Sequence, residues 1–213
     1  MTLDKDSPII KEFEEAGAIL HGHFVLSSGL HSGTYIQCAK IFENSNRAVK
    51  ICVLLTHKIK KELNSSIDLI LSPAIGGIIV GYEIGRQLGI KTMFCERVSG
   101  KFELRRGFEI KQGEKILLVE DVITTGKSSL EAVKCAEGKG GEVVAEACLI
   151  KRNSETKLPF PVISLLELSI KNYSEAELPE ELKQLPVTKP GSREYLSNCA
   201  KFSSTSHSKN SNG

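Results

Sequence analysis

Between residues 116 and 128 the chain reads Ile-Leu-Leu-Val-Glu-Asp-Val-Ile-Thr-Thr-Gly-Lys-Ser, a four-residue apolar run set against two acids and a short loop of hydroxyls and glycine. Ile116 to Val119 is short, apolar and β-branched at both ends, which is the character of a strand buried on both faces of a parallel sheet. The carboxyl end of such a strand is a binding crevice. A helical pattern starts at Lys127, so the loop Val122 to Ser128, with Ile123 inside it, offers successive backbone N–H groups at a helix amino terminus. Unpaired donors and the helix dipole favour a phosphate there. Thr124, Thr125 and Ser128 add hydroxyl donors, and Gly126 lets the backbone approach a ligand closely.

Glu120 and Asp121 stand just before this nest as carboxylates that cannot themselves hold a phosphate. They call for hydroxyl donors or a cation. A sugar phosphate meets both demands, with its ribose hydroxyls on the acids and its phosphate in the loop. Taken alone, the segment also fits a polar turn opened by Glu-Asp and a helix capped by Thr-Thr-Gly. It does not fit a P-loop, which needs a glycine five residues before Gly126, where this chain has Asp121.

From residue 44 onward, strand-like and helix-like patterns alternate, which predicts an α/β fold with a mainly parallel sheet and crossover helices. Helices are expected over Arg47 to Leu63, Gly76 to Leu88 and Lys127 to Lys139, the last ended by Gly140-Gly141. Strands are expected at Asp68 to Leu71, Lys91 to Cys95, Ile116 to Val119, Val143 to Ile150 and Val162 to Leu168. Residues 1 to 43 break the alternation, with a helix around Ile9 to Ala16, then Phe24 to Gly29 and a loop to Tyr35. The expected organisation is a hood segment over 1–43, an α/β core over 44–168, a segment over 169–196 returning toward the hood, and a disordered tail over 197–213, rich in Ser, Asn and Lys.

A second anion site follows the first core strand. Ser72-Pro73-Ala74-Ile75-Gly76-Gly77 turns from a strand end into a helix, with two glycines where a backbone would touch a ligand. A tight turn packing helix on strand is the alternative. Between Glu96 and Gly107 lies a polar stretch carrying Arg97, Lys101, Arg105 and Arg106 around Ser99-Gly100. It lacks steady apolar periodicity and is expected as a mobile loop or hairpin, either solvated charge or a basic lid.

The chain has 28 Lys and Arg against 26 Asp and Glu, a formal net charge of +2, which leaves no broad basic surface for nucleic acid or membrane. Six cysteines are scattered without a C-x-x-C pair and read as reduced thiols in a cytoplasmic protein. The amino terminus is polar and no apolar run reaches membrane-spanning length. His21 and His23 lack acidic or cysteine partners at ligand spacing and are read as part of a polar turn rather than a metal site.

The segment Val119 to Ser128 resembles the phosphoribosyl pyrophosphate (PRPP) motif of the type I phosphoribosyltransferases. Gly22 to Tyr35, with its Phe-x-Leu-x-Ser-Gly-x-x-Ser core, is similar to the hood of the orotate-specific branch. Pro73-Ala74 with the double glycine, Leu104 to Phe108 and Lys189 to Arg193 extend the resemblance over roughly residues 8 to 193. It implies the type I fold, a mainly parallel sheet flanked by helices with a small hood subdomain. It further implies Mg²⁺-dependent transfer from PRPP to orotate in pyrimidine biosynthesis, with Mg²⁺ held mainly by PRPP and water, and a homodimer whose lid loop is shared between subunits. A purine enzyme, or a non-catalytic relative that senses nucleotides and binds RNA, would share the PRPP motif.

By the same resemblance, Glu120, Asp121 and Lys101 are the catalytic residues. Arg97, Lys101, Lys127 and the loop from Glu120 to Ser128 hold PRPP. Ala74, Ile75, Gly76 and Gly77 cradle pyrophosphate, and Thr124, Arg152, Ser28, Gly29 and Tyr35 take orotate, with Arg193 a weaker candidate. The chain departs from the pattern at Gly76, where many orotate enzymes have lysine, at Ser27, where some do, and at Val98 and Glu103, where many have lysine and histidine.

Overall fold

The computed structural model describes residues 7–26, 28–153 and 157–190. Helix α1 (Pro8–Glu15) leads into strands β1 (Ile19–Val25) and β2 (His31–Ile36), a 3-10 turn over Cys38–Glu43, and helix α2 (Ser45–Glu62). There follow β3 (Leu69–Pro73), α3 (Gly77–Leu88), β4 (Lys91–Val98), β5 (Lys101–Leu104), β6 (Lys115–Ile123), α4 (Lys127–Glu137), β7 (Glu142–Arg152) and β8 (Val162–Leu168). The described chain finishes with β9 (Asn172–Tyr173), α5 (Glu180–Lys183) and β10 (Val187–Thr188). The described residues form two compact units, one from residues 7–19 and 37–169, the other from residues 20–36 and 170–190.

The larger unit is built on a six-stranded sheet in the order β5-β4-β3-β6-β7-β8. Every neighbouring pair is parallel except β4 and β5, an antiparallel hairpin with Arg97 opposite Phe102. Central strands β3 and β6 read as unbroken apolar runs because both faces are covered: Leu69, Ile70, Leu71 and Ile116 to Val119 are all fully buried. Helix α4 packs Ala132, Val133 and Ala136 against Leu69, Leu71, Ile116, Leu118 and Phe102. Helix α3 lies very close to the sheet, since Cβ atoms on Gly81 and Gly85 would collide with the side chains of Ser72 and Thr92. Asn44 caps α2 by accepting the Arg47 N–H at 3.1 Å.

The order of strands creates a switch point. From β3 the chain crosses through α3 to β4 on one side, whereas from β6 it crosses through α4 to β7 on the other. The loops after β3 and β6 therefore diverge at neighbouring carboxyl ends, the position where open α/β sheets bind ligands.

The smaller unit is a four-stranded sheet, β10-β1-β2-β9. His23 and Phe24 pair in parallel with Val187 and Thr188, while His31 and Ser32 pair antiparallel with Tyr173 and Asn172. Inside it, His23 Nε2 meets His31 Nδ1 at 2.6 Å and the Phe24 and Tyr35 rings lie 5.6 Å apart.

Several boundaries differ from the sequence expectation. Strand β6 continues through Glu120 and Asp121 to Ile123, because β7 goes on pairing with it as far as Lys151. Val122 and Ile123, expected in the loop, thus belong to the strand, as do the two acids before them. The expected loop to Tyr35 contains β2, held between the adjacent β1 and the sequence-remote β9. Helix α1 and the turn after Gln37 cluster with the larger unit, so the amino-terminal part of the smaller one is residues 20–36 rather than 1–43. Of the two forms expected for Glu96 to Gly107, the hairpin is present, with Cys95 to Val98 paired to Lys101 to Leu104. Ser27, Arg193, Cys199 and the 197–213 tail lie outside the described residues.

Candidate active site

The loop after β6 forms a pocket of about 230 Å³ lined by Glu120 and residues 122–129. That volume is smaller than the roughly 300–1,000 Å³ of a complete small-molecule pocket, so the loop suits one end of a ligand. Gly126 adopts φ 76°, a left-handed conformation that costs glycine nothing, and no side chain caps α4. The first-turn N–H groups of α4 therefore face the pocket as anion donors. Thr125 Oγ1 accepts only a long 3.4 Å bond from the Lys127 N–H.

Glu120 and Asp121 form the opposite wall of the chemistry. Glu120 is 8% exposed. Burial, and then the neighbouring Asp121, push its carboxyl well above the ordinary carboxylate range. Burial also raises Asp121, opposed by the hydrogen bond that its Oδ1 accepts from the Val122 N–H at 2.8 Å. Two adjacent desolvated carboxyls gain from any ligand that supplies hydroxyl donors or a hard cation. No cluster of three or more His, Cys, Asp or Glu capable of holding a metal occurs among the described residues.

The loop after β3 closes on these acids. A Cβ on Gly76 would stand 2.6 Å from Asp121 Oδ1, and one on Gly77 would stand 2.7 Å from the Val119 carbonyl oxygen. Only glycine fits between this loop and β6 as they are placed, and no side chain caps α3. Ala74 donates its N–H to the Cys95 carbonyl at 2.7 Å, and Ile75, which follows a cis peptide bond, is 85% exposed. Two uncapped helix starts thus flank one pair of acids.

Ile123 pairs with Lys151, so Thr124, just past β6, and Arg152, the last residue of β7, lie at the same carboxyl end of the sheet. Burial lowers the Arg152 pKa from its ordinary value. Ser28, Gly29 and Tyr35 belong to the smaller unit, as part of its β1–β2 connection and of β2.

The hairpin distributes its cations unevenly. Arg97 is ion-paired with Glu131 of α4, and Arg106 with Glu96 at 3.2 Å. Lys101 and Arg105 are exposed at the tip and far end, without an ion pair among the described residues. The sequence reading missed Glu131, whose pairing joins segments far apart in the chain. It also missed Glu146, a fully buried carboxyl on β7 beneath the start of α4. An acid inside the apolar run Ala145 to Ile150 was the available signal for the latter.

A switch-point crevice with two anion-binding helix starts and a central acid pair defines a phosphoribosyltransferase, and residues 39–181 match the family model of the phosphoribosyl transferase domain. An orotate phosphoribosyltransferase of Erythrobacter litoralis is 48% identical over 189 residues, spanning 88% of this chain and 98% of its own. The chain belongs to the orotate phosphoribosyltransferase family. Among solved structures, the orotate phosphoribosyltransferase from Aeropyrum pernix superposes with a TM-score of 0.64 at 22% identity, over 75% of this chain and 93% of that one. The adenine phosphoribosyltransferase of Leishmania tarentolae does so with 0.56 at 15% identity, over 85% and 94%. At these identities the superpositions speak to the fold, which both base specificities share.

Proposed function

We propose that this chain transfers the ribose 5-phosphate group of PRPP to orotate, giving orotidine 5′-monophosphate and pyrophosphate in the biosynthesis of UMP. The observation that carries this reading is the abutment of Gly76 on the Asp121 carboxylate. It brings the loop over residues 74–77 against the acid pair, and Glu120 in turn lines the pocket of the loop over residues 122–129. The 5′-phosphate enters the loop from Thr124 to Ser128, and Glu120 and Asp121 accept the ribose hydroxyls.

As the bond from the anomeric carbon to pyrophosphate breaks, positive charge develops on the sugar and negative charge on the leaving oxygens. The acid pair eases the former, while the backbone of residues 74–77 and Lys101 stabilise the latter. A nitrogen of orotate then attacks the anomeric carbon from the opposite face, with its carboxylate on Arg152. Thr124 completes the base side. Glu120 and Asp121 fit a hard cation in donor chemistry but supply too few oxygens for a shell of about six. Mg²⁺ would therefore be held mainly by PRPP and water, neutralising phosphate charge.

The working form is read as a homodimer. Ile79 and Tyr82 on α3 and Ile75 in the loop before it are 55%, 64% and 85% exposed, apolar groups suited to a second copy beside the pyrophosphate loop. The five described cysteines are free thiols, in keeping with the reducing cytoplasm; no helix among the described residues is long and apolar enough to cross a membrane. Pyrophosphate release from PRPP, measured with orotate, adenine, hypoxanthine or uracil and with or without Mg²⁺, tests the assignment. Orotate-specific, Mg²⁺-dependent release is expected; turnover with a purine and not with orotate would overturn it.

A further inference from the structure

Arg97 is the most heavily engaged cation of the β4–β5 hairpin. Its Nη2 is ion-paired with Glu131 Oε2, its Nη1 donates to the Gly100 carbonyl at 3.1 Å, and its guanidinium carbon lies 4.2 Å over the Phe102 ring. Phe102 is 8% exposed and belongs to the core under α4. The ring and the Gly100 carbonyl are features of the hairpin itself, opposite Arg97 or at its turn. Glu131 is the single contact of the three that comes from another element. It lies on α4, four residues after Lys127, on the helix whose start faces the phosphate pocket.

We infer that Glu131 is the resting counter-ion of Arg97, and that the hairpin captures the pyrophosphate end of PRPP by exchanging this carboxylate for phosphate. Glu131 is then a positioning residue for the lid. The inference rests on the proposed PRPP reaction and deepens it. The side chains of Arg97 and Glu131 are 40% and 27% exposed, with the paired Oε2 itself buried, and a partly exposed ion pair contributes modest net stability. A polyphosphate offers the same fork-shaped donor more negative charge and more acceptor oxygens than one carboxylate. Phe102 stays anchored in the core under α4, so the exchange moves the Arg97 guanidinium and not the strands. Glu131 lowers affinity by holding the arginine back.

The sign of one kinetic effect decides the matter. If Glu131 competes with substrate, Glu131→Gln lowers the KM for PRPP by about two- to fivefold, the range of an exposed ion pair. It leaves the KM for orotate unchanged. Arg97→Ala raises the KM for PRPP, and adding Glu131→Gln to it produces no further change. If Glu131 instead braces the hairpin in its working position, Glu131→Gln raises the KM for PRPP, and the exchange model fails. An unchanged KM also overturns it. So does an equal drop in the Arg97→Ala background, which would assign the effect to the general field of the helix. Absence of orotate-dependent turnover in the unmodified protein would strike the functional reading itself, whereas an active enzyme with the wrong sign strikes only the exchange.

Discussion

At the scale of single residues the site depends on two acids that are costly to bury. Asp121 carries little core packing but faces Gly76 and accepts the Val122 N–H. Asp121→Asn is expected to leave the thermal unfolding midpoint near that of the unmodified protein while removing about 2 to 4 kcal/mol of transition-state stabilisation, a loss of roughly 30- to 1,000-fold in kcat/KM. Steady-state turnover with saturating orotate checks it; near-normal kcat/KM would remove Asp121 from the ribose site.

Glu146 makes a different demand. Its carboxyl is fully buried, and burial, opposed by the Ser129 hydroxyl, pushes it from an ordinary 4.5 to about 7. A carboxyl raised in the folded chain contributes stability fully below its unfolded value and loses it as pH climbs to the folded value. Between pH 4.5 and 7 the chain therefore gives up about 3 kcal/mol at this residue. Glu146→Gln should be more stable than the unmodified protein at pH 8 and similar to it near pH 4.5. Urea unfolding at the two pH values would show this, and a pH-independent difference would refute it.

Helices and strands show where a sequence speaks for itself. The apolar run at Ile116 to Val119 announced its strand because burial on both faces leaves no polar position to confuse the period. The anion loop was equally legible, since Thr124 to Gly126 is local chemistry at a strand–helix junction. The ends of β6 and β7 were not: Glu120, Asp121, Lys151 and Arg152 look like loop residues until pairing between the two strands holds them extended. Strand β2 was hidden for the same reason, its partners lying in β1 and β9.

The docking of α3 separates two adjacent glycines. Gly77 abuts a backbone carbonyl that cannot step aside, so Gly77→Ala should displace the helix and cost about 1 to 3 kcal/mol of stability by chemical unfolding. Gly76 abuts a carboxylate that can rotate. Gly76→Ala should therefore preserve the fold yet lower kcat/KM by about 10- to 100-fold by misplacing Asp121. Equal losses of stability in the two variants would contradict this division.

For the whole molecule, the exposed Ile75, Ile79 and Tyr82 and the exposed Lys101 at the hairpin turn together favour a shared site. If the lid serves a neighbouring subunit, Lys101→Ala and Asp121→Asn homodimers should each be nearly inactive. Their heterodimer then contains one site with both defects and one with neither. Random mixing makes about half of the dimers heterodimers, so about a quarter of the unmodified activity should return. Subunit exchange followed by the orotate assay measures it; no recovery with verified heterodimers would mean that each lid serves its own chain.

The smaller sheet takes β1 and β2 from residues 19–36 and their outer partners β9 and β10 from residues 172–188. On a ribosome, the early strands emerge well over a hundred residues before the segments that cover their edges. Until then each early strand presents an unpaired row of N–H and carbonyl groups. The sheet that bears Ser28, Gly29 and Tyr35 is thus among the last parts of the protein to close, after the contiguous α/β stretch has been synthesised. A ribosome that stalls shortly after β8 would release an adhesive nascent chain, with its phosphate loop present and two strand edges open to the nearest copy of itself.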